Sequence, residues 1–247
     1  MINRNFLFAL GLFCLISGCA SQRAPMAEDP LEGLNRTMFT VHEGLDTVLL
    51  KPMAQGYDAL LPNPAQRMVG NFFDNFRDVV RGGNAILQGE GERGVTRIGR
   101  FLINSTLGIV GLFDVASAFG LEKGNESFGQ TLAVWGVPPG PYLFLPLIGP
   151  SGGRDIVGFG VDTYANPLWH LTKDDPAVRN SLYVTNAVHF RASLLPTDHI
   201  LEEATWDKYA YIRGAYMQRK RAELHEGKPT PLWDDDEPNG FEQAGGK

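Results

Sequence analysis

Cysteine is almost absent: the 247 residues hold two, Cys14 and Cys19, both close to the N-terminus. A disulfide framework and a cysteine-based metal site are thereby excluded. Basic charge is scarce too, with 22 Lys and Arg against 28 Asp and Glu and a net charge of -6, so no overall positive field is available to hold nucleic acid. No G-x-x-x-x-G-K-[ST] loop occurs, which excludes P-loop nucleotide hydrolysis. His42-Glu43 has no partner at the H-E-x-x-H spacing, because Asp46 occupies that position, and His170, His189, His199 and His225 are isolated in sequence. No metal or other cofactor is expected, and no internal repeat is visible.

What is present begins with a targeting segment. Arg4 supplies a positive start, and the uncharged run Phe6 to Ile16 has the length of a signal-peptide core, too short to span a bilayer. The following Ile16-Ser17-Gly18-Cys19 resembles the lipobox of bacterial lipoproteins, in which the Cys thiol takes a diacylglyceryl group, cleavage follows the preceding residue and the new amine is acylated. Residues 1–18 are then the signal peptide, Cys19 the lipid-attachment residue and 19–28 a short tether. Several acyl chains on one residue give stable membrane attachment. Ala20, where an Asp would suggest retention at the inner membrane, favours the outer membrane by resemblance to that sorting rule.

The chain beyond the tether reads as mainly helical. Asp29-Pro30-Leu31-Glu32 carries an N-cap and capping-box signature, followed by an apolar stripe at Leu31, Leu34, Met38, Val41, Leu45 and Val48. A second helix opens at Pro62-Asn63-Pro64, with Val69, Phe72, Phe73, Phe76, Val79 and Val80 on one face and Arg67, Asp74, Arg77, Asp78 and Arg81 on the other. A third runs from about Gly91 through Leu102. Later helical segments lie between Arg154 and Asn166-Pro167, from Asp175-Pro176 towards Leu195-Pro196, and from Asp207 to His225 with a basic cluster near its end. Residues 227–247 read as a flexible acidic tail, including Asp234-Asp235-Asp236-Glu237.

Between these helices the charge disappears. From Phe101 to Gly153 the only ionisable side chains other than tyrosine are Asp114, Glu122, Lys123 and Glu126, and from Ser127 to Gly153 there is none. Five prolines and several glycines rule out a continuous spanning helix there. Irregular apolar backbone of this kind belongs inside protein or beside a polar passage within a membrane. Within it, Gly149-Pro150-Ser151-Gly152-Gly153 matches G-x-S-x-G, the nucleophile elbow of α/β-hydrolases, with Asp174, His189 and His199 downstream in the required order. A lipoprotein esterase using Ser151 is therefore one reading; the helical pattern upstream, with hardly any alternating strands, favours a structural turn.

Several strings in one order resemble the MlaA/VacJ family of outer-membrane lipoproteins. They include Asp29-Pro30-Leu31-Glu32-Gly33-Leu34-Asn35-Arg36, Arg100 to Gly108, Gly111 to Asp114, Phe128-Gly129-Gln130-Thr131-Leu132, Trp135-Gly136, Gly140-Pro141-Tyr142 and Leu145 to Pro150, and they span about residues 29 to 225. The resemblance implies a single domain over 29–226, a disc-like bundle of amphipathic helices with the Gly/Pro-rich apolar segment, around an amphipathic channel in the periplasmic leaflet of the outer membrane. It further implies phospholipid as cargo, a trimeric porin beside the protein and a soluble periplasmic carrier below it, with transport that restores lipid asymmetry. Phe128, Gly129, Gln130, Trp135, Gly136, Gly140 and Tyr142 are the candidate wall or gate of the passage. A purely structural outer-membrane scaffold is the other alternative.

Overall fold

A computed structural model describes residues 29–204 and 206–224. The signal peptide, Cys19, its tether and the acidic tail lie outside the described residues. Two compact units divide after Ala204, whereas the sequence suggests one domain over 29–226. The second contains, among the described residues, α10 (Lys208–Leu224), whose start is capped by Asp207 accepting from the Ala210 N–H. The first unit holds everything that follows.

The expectation of a mainly helical protein is borne out. The first helical rod is α1 (Glu32–Leu45), a π-helical turn Asp46–Leu50 and α2 (Lys51–Leu60), running on without a break. Its entry differs from the capping-box reading: the cap position is Leu31, and Asp29 stands outside the helix, fully buried. The Asp29 carboxylate is held by the Asn35 side-chain amide at 2.9 Å, which uses it for a tertiary contact instead of a cap.

Next come α3 (Asn63–Leu87) and α4 (Gly91–Thr106), joined by a tight turn. They approach closely at Gly82 and Gly94: a Cβ on Gly82 would stand 3.1 Å from the Gly94 carbonyl oxygen. Phe73 and Phe76 of the predicted apolar stripe are buried, with Phe72 packed edge-on against both. The charged stripe of α3 is solvated only in part: Arg67 is exposed, but the stripe turns inward at Asp78. Asp78 is 1% exposed and receives Arg100 of α4 at 3.1 Å and Arg81 at 2.9 Å. Arg100 also meets Asp114 at 2.9 Å, and Arg97 grips Glu126 with both forks of its guanidinium. These arginines also donate to the Glu122 and Leu121 carbonyls, so the loop after α5 (Val115–Ala118) is strapped to α4 from inside.

The Gly/Pro segment folds into three pieces. Ser127 caps α6 (Phe128–Val134) in a reciprocal box with Gln130, and an antiparallel hairpin follows an extended stretch, β1 (Tyr142–Leu145) against β2 (Gly149–Gly152) with Tyr142 opposite Gly152. Asn35 serves as a third strand to that hairpin: its side chain donates to the Tyr142 carbonyl at 3.0 Å and accepts from the Phe144 N–H at 2.9 Å. Phe144 then packs on Phe39 and His42 of α1.

The remaining helices are α7 (Gly153–Ala165), α8 (Pro167–Leu171) and α9 (Pro176–Ala204). Asp175 caps α9 through the Ala177 and Val178 N–H groups. The helix does not stop at Pro196, as the sequence suggests, but passes through it. Arg191 bridges the proline to Asp198 and reaches across to Asp46 in the π turn, at 2.9 and 2.7 Å, compensating the interrupted ladder with charge. Among the described residues no helix is long and apolar enough to cross a membrane.

Candidate functional site

The surface of the first unit is unusually apolar. Val48 is 80% exposed and Leu60 81%, and Leu49, Leu102, Leu107, Ile109, Val110, Leu147, Ile148, Val157, Val161 and Tyr164 also face outward. A lipid environment accommodates so many exposed large apolar side chains. Ile109, Val110 and Leu147 even accept left-handed backbone, at φ 53°, 56° and 68°, while presenting these side chains. For β-branched Ile109 and Val110 that conformation costs about 1 kcal/mol or more each.

A cavity of about 250 Å³ opens between α3, α7, α8 and α9. From α3 it receives Phe73, Arg77, Val80 and Arg81; from α7 and its end, Phe159, Asp162, Thr163 and Asn166; from α9, Arg179, Leu182, Tyr183 and Asn186; Glu126, Leu168 and Thr172 complete it. The α9 set falls at intervals of three and four residues, one helix face. Apolar walls thus carry a few convergent charges, and the volume lies just below the ~300–1,000 Å³ common for small-molecule sites. A second depression, around Arg67, Asn71, Lys123 and His189, is shallow and polar and has no such apolar wall.

The electrostatics follow from what each charge touches. Arg77 donates to Asp74 at 3.1 Å and to Asn186 at 2.9 Å across the cavity, tying α3 to α9. Burial alone would raise the Glu126 carboxyl, but the hydrogen bonds from Arg97 outweigh it and hold the group below its ordinary value. Asp162 is the opposite case: burial pushes its carboxyl up against the opposing pull of the Phe128 N–H and the Asn84 amide. Burial likewise raises the Tyr183 phenol, with Arg179 pulling it back. Among the described residues no group of three His, Cys, Asp or Glu side chains is placed to hold a metal ion.

None of the seven passage residues named from the sequence lines this cavity, which other side chains form. Phe128 holds Asp162 through its backbone N–H at 3.0 Å, and Gly129 lets α6 meet α7, since a Cβ on Gly158 would stand 2.7 Å from the Gly129 Cα. Gln130 closes the α6 cap, and Trp135, 54% exposed, donates to the Leu87 carbonyl. Gly136 and Gly140 take φ of 86° and 71°, and Tyr142 is buried at the hairpin base. The signal for the cavity residues was the mixed charged and apolar face of α9 together with the α3 charge stripe.

Ser151 sits on β2 of an isolated antiparallel hairpin, paired with Leu143, and not at the end of a parallel strand in an α/β sheet. Its hydroxyl has no histidine partner among the described residues, and His189 is occupied by the Tyr57 hydroxyl at 3.0 Å.

Fold and site together define a helical protein with an apolar exterior and a charged amphipathic interior cavity. The family model described as MlaA lipoprotein matches residues 27–223, and the chain belongs to that family, as the sequence strings suggest. It is 34% identical over 229 residues to the intermembrane phospholipid transport system lipoprotein MlaA of Escherichia coli, covering 90% of this chain and 89% of that one. A Rickettsia typhi protein of uncharacterised function is 37% identical over 198 residues, 79% of this chain and 78% of its own. A solved structure concerned with the structural basis for maintenance of bacterial outer membrane lipid asymmetry superimposes with a TM-score of 0.70 at 35% identity, covering 79% of this chain and 98% of that chain.

Proposed function

We propose that this chain is a lipid-anchored outer-membrane protein that takes phospholipids misplaced in the outer leaflet and passes them inward, maintaining lipid asymmetry. The observation that carries the reading is an apolar exterior beside an amphipathic cavity whose largely apolar walls hold convergent arginine and carboxylate side chains. A head group crossing an apolar slab pays several kcal/mol in lost hydration unless polar groups replace the water. A cavity with guanidinium donors supplies that replacement while the acyl chains remain against the apolar exterior. The movement is passive, with direction set by removal of the lipid on the periplasmic side.

Attachment through lipid on Cys19, seating in the periplasmic leaflet, a neighbouring trimeric porin and a soluble periplasmic lipid carrier complete the proposal, supported by the lipobox and the family. The chain acts as a transporter and not as an esterase in this reading, which the isolated hairpin under Ser151, without the α/β sheet that the elbow chemistry requires, supports. The gating part assigned to Phe128, Gly129, Gln130, Trp135, Gly136, Gly140 and Tyr142 is retained in indirect form: α6 holds the Asp162 wall through the Phe128 N–H and the Asn84–Thr131 contact.

The test is outer-leaflet phospholipid in intact cells lacking the gene and complemented with wild type, Cys19→Ala or Ser151→Ala. Deletion is expected to raise it; wild type and Ser151→Ala restore the low level and Cys19→Ala does not. An unchanged outer leaflet on deletion sinks the transport reading, and restoration only by chains retaining Ser151 revives catalysis.

A further inference from the structure

We propose that Arg179 anchors the phosphate of a lipid head group, so that the cavity favours anionic head groups over zwitterionic ones. This rests on the transport reading above and adds a specificity-determining residue to it.

The argument turns on which cavity charges are already engaged. Arg77 is tied to Asp74 and Asn186, and Arg81 to Asp78 and Asp74. Arg179 is different. Its guanidinium lies 4.7 Å from the centre of the Trp169 ring, and it makes no ion pair or side-chain hydrogen bond with a described residue. Stacking uses the flat face of the group and leaves its in-plane N–H donors for a ligand, in the fork geometry that matches two phosphate oxygens.

The acids of the cavity give the complementary half. Glu126 is gripped by Arg97, and Asp162 accepts from the Phe128 N–H and the Asn84 amide at 2.8–3.2 Å. Both carboxylates are therefore spoken for by donors of the protein itself. The lining carries three guanidiniums against two carboxylates. A phosphate finds an open cation there; the ammonium of an ethanolamine or choline head group finds no open anion, and stands near a guanidinium of like sign. The cavity is also of head-group size, so the discrimination falls on the head group and not on the tails.

The experiment uses the full-length lipidated protein in nanodiscs of equimolar phosphatidylglycerol and phosphatidylethanolamine, from which protein-bound lipid is recovered after detergent exchange and quantified by mass spectrometry. Wild type is expected to enrich phosphatidylglycerol several-fold. Arg179→Gln returns the ratio to near unity, the several-fold preference being within the scale of one charge-assisted hydrogen bond. Arg179→Lys, which keeps charge but loses the fork, falls between. Arg93→Gln, at an exposed ion pair on α4 away from the cavity, keeps the wild-type ratio and controls for surface charge. Helical content and thermal midpoint, measured on each variant, separate misfolding from lost selectivity. Parallel samples with millimolar orthophosphate distinguish the ligand's source: an unchanged ratio supports a lipid head group, and abolished enrichment points to a site for free phosphate and overturns the proposal. If wild type captures both lipids without enrichment, or Arg179→Gln keeps the enrichment, the selectivity inference fails while the transport reading stands; if wild type captures neither lipid, the transport reading fails first.

Discussion

Replacing Asn35 with alanine removes one amide and strands two backbone groups. Asn35 is fully buried on α1 and completes the outer edge of β1, donating to the Tyr142 carbonyl at 3.0 Å and accepting from the Phe144 N–H at 2.9 Å. The alanine methyl reaches neither, and no water-filled surface lies beside Phe144, which is 2% exposed. A buried polar group left without its partner costs about 1–3 kcal/mol, so two of them cost about 2–6 kcal/mol, and a loss of ~3 kcal/mol, in the lower half of that span, is expected. The effect is local, because Asn35 is the polar clasp between rod and hairpin, and it is read most directly as amide hydrogen exchange at Phe144 in the detergent-solubilised full chain. Protection there should fall about a hundredfold, the equivalent of ~3 kcal/mol of opening free energy. Asn35→Asp gives a second, signed test: it retains an acceptor for the Phe144 N–H but sets a carboxylate against Asp29, now 2.9 Å from the amide nitrogen. Two carboxylates at that distance do not both ionise readily, so protection in this variant should be poor at neutral pH and recover as acid protonates one of them. Phe144 protection within threefold of wild type in Asn35→Ala would refute the reasoning.

Two further perturbations test the charged interior and the hairpin tip. Arg100→Met leaves Asp78 with Arg81 alone and Asp114 with the half-exposed Lys123, a broken buried network worth about 3–5 kcal/mol and a fall in thermal midpoint of roughly 6–20 °C; an unchanged midpoint would count against it. The same variant should raise the Asp114 pKa: burial alone pushes that carboxyl up, but hydrogen bonds from Ser117 and the charge of Arg100 hold it down to about 2. A carboxyl depressed on folding stabilises the protein fully above its unfolded value of 3.8 and loses that contribution as pH falls towards 2, so the acid limb of wild-type stability in that window should flatten in Arg100→Met. At the hairpin tip the Leu147 N–H donates to His42 Nδ1 at 3.1 Å, which requires the unprotonated nitrogen. Burial lowers the His42 pKa despite the opposing pull of Asp46 and Glu43, so this bond is intact above the ordinary value of 6.5 and is lost as pH falls below it through the lowered value. Exchange of the Leu147 amide should accelerate on acidification, and His42→Gln, which keeps an acceptor, should remove most of that dependence; identical pH profiles would sink the idea.

Helix positions in the first unit were largely legible, because apolar periodicity and Asp-Pro or Asn-Pro starts are local signals. Asp175 caps α9 and Asn166 caps α8 as such residues do. Asp29 misleads for a tertiary reason: Asn35, a full turn and more away, recruits its carboxylate for the hairpin clasp. The hairpin itself leaves little trace, since β2 is Gly-Pro-Ser-Gly, without the β-branched or aromatic alternation that marks a strand, and the outer edge of β1 is completed by Asn35, more than 100 residues away in sequence. Gly129 illustrates the limit at the site. Its composition suggests a hinge, while the structure gives it a close approach to Gly158, a relation that no single-sequence spacing encodes.

The cavity was hidden for a different reason, and that reason is functional. Sequence reading assigns the apolar stripe of a helix to the core and the charged stripe to water, a rule that holds when water surrounds the protein. On α3 the charged stripe divides: Arg67 is exposed, Asp78 is nearly inaccessible and Arg77 and Arg81 reach the cavity, while large apolar side chains elsewhere in the unit stay outside. Buried charge of that kind persists only if it is paired, and Arg97 and Arg100 on α4 do the pairing. Those two arginines also strap the loop ending at Glu126, a wall of the cavity, so the ion network that neutralises the interior is the same one that shapes the site. A charged head group crossing an apolar layer needs polar groups within reach along its way, and α3 carries two of them, Arg77 and Arg81, in a charge stripe whose direction only the packing reveals.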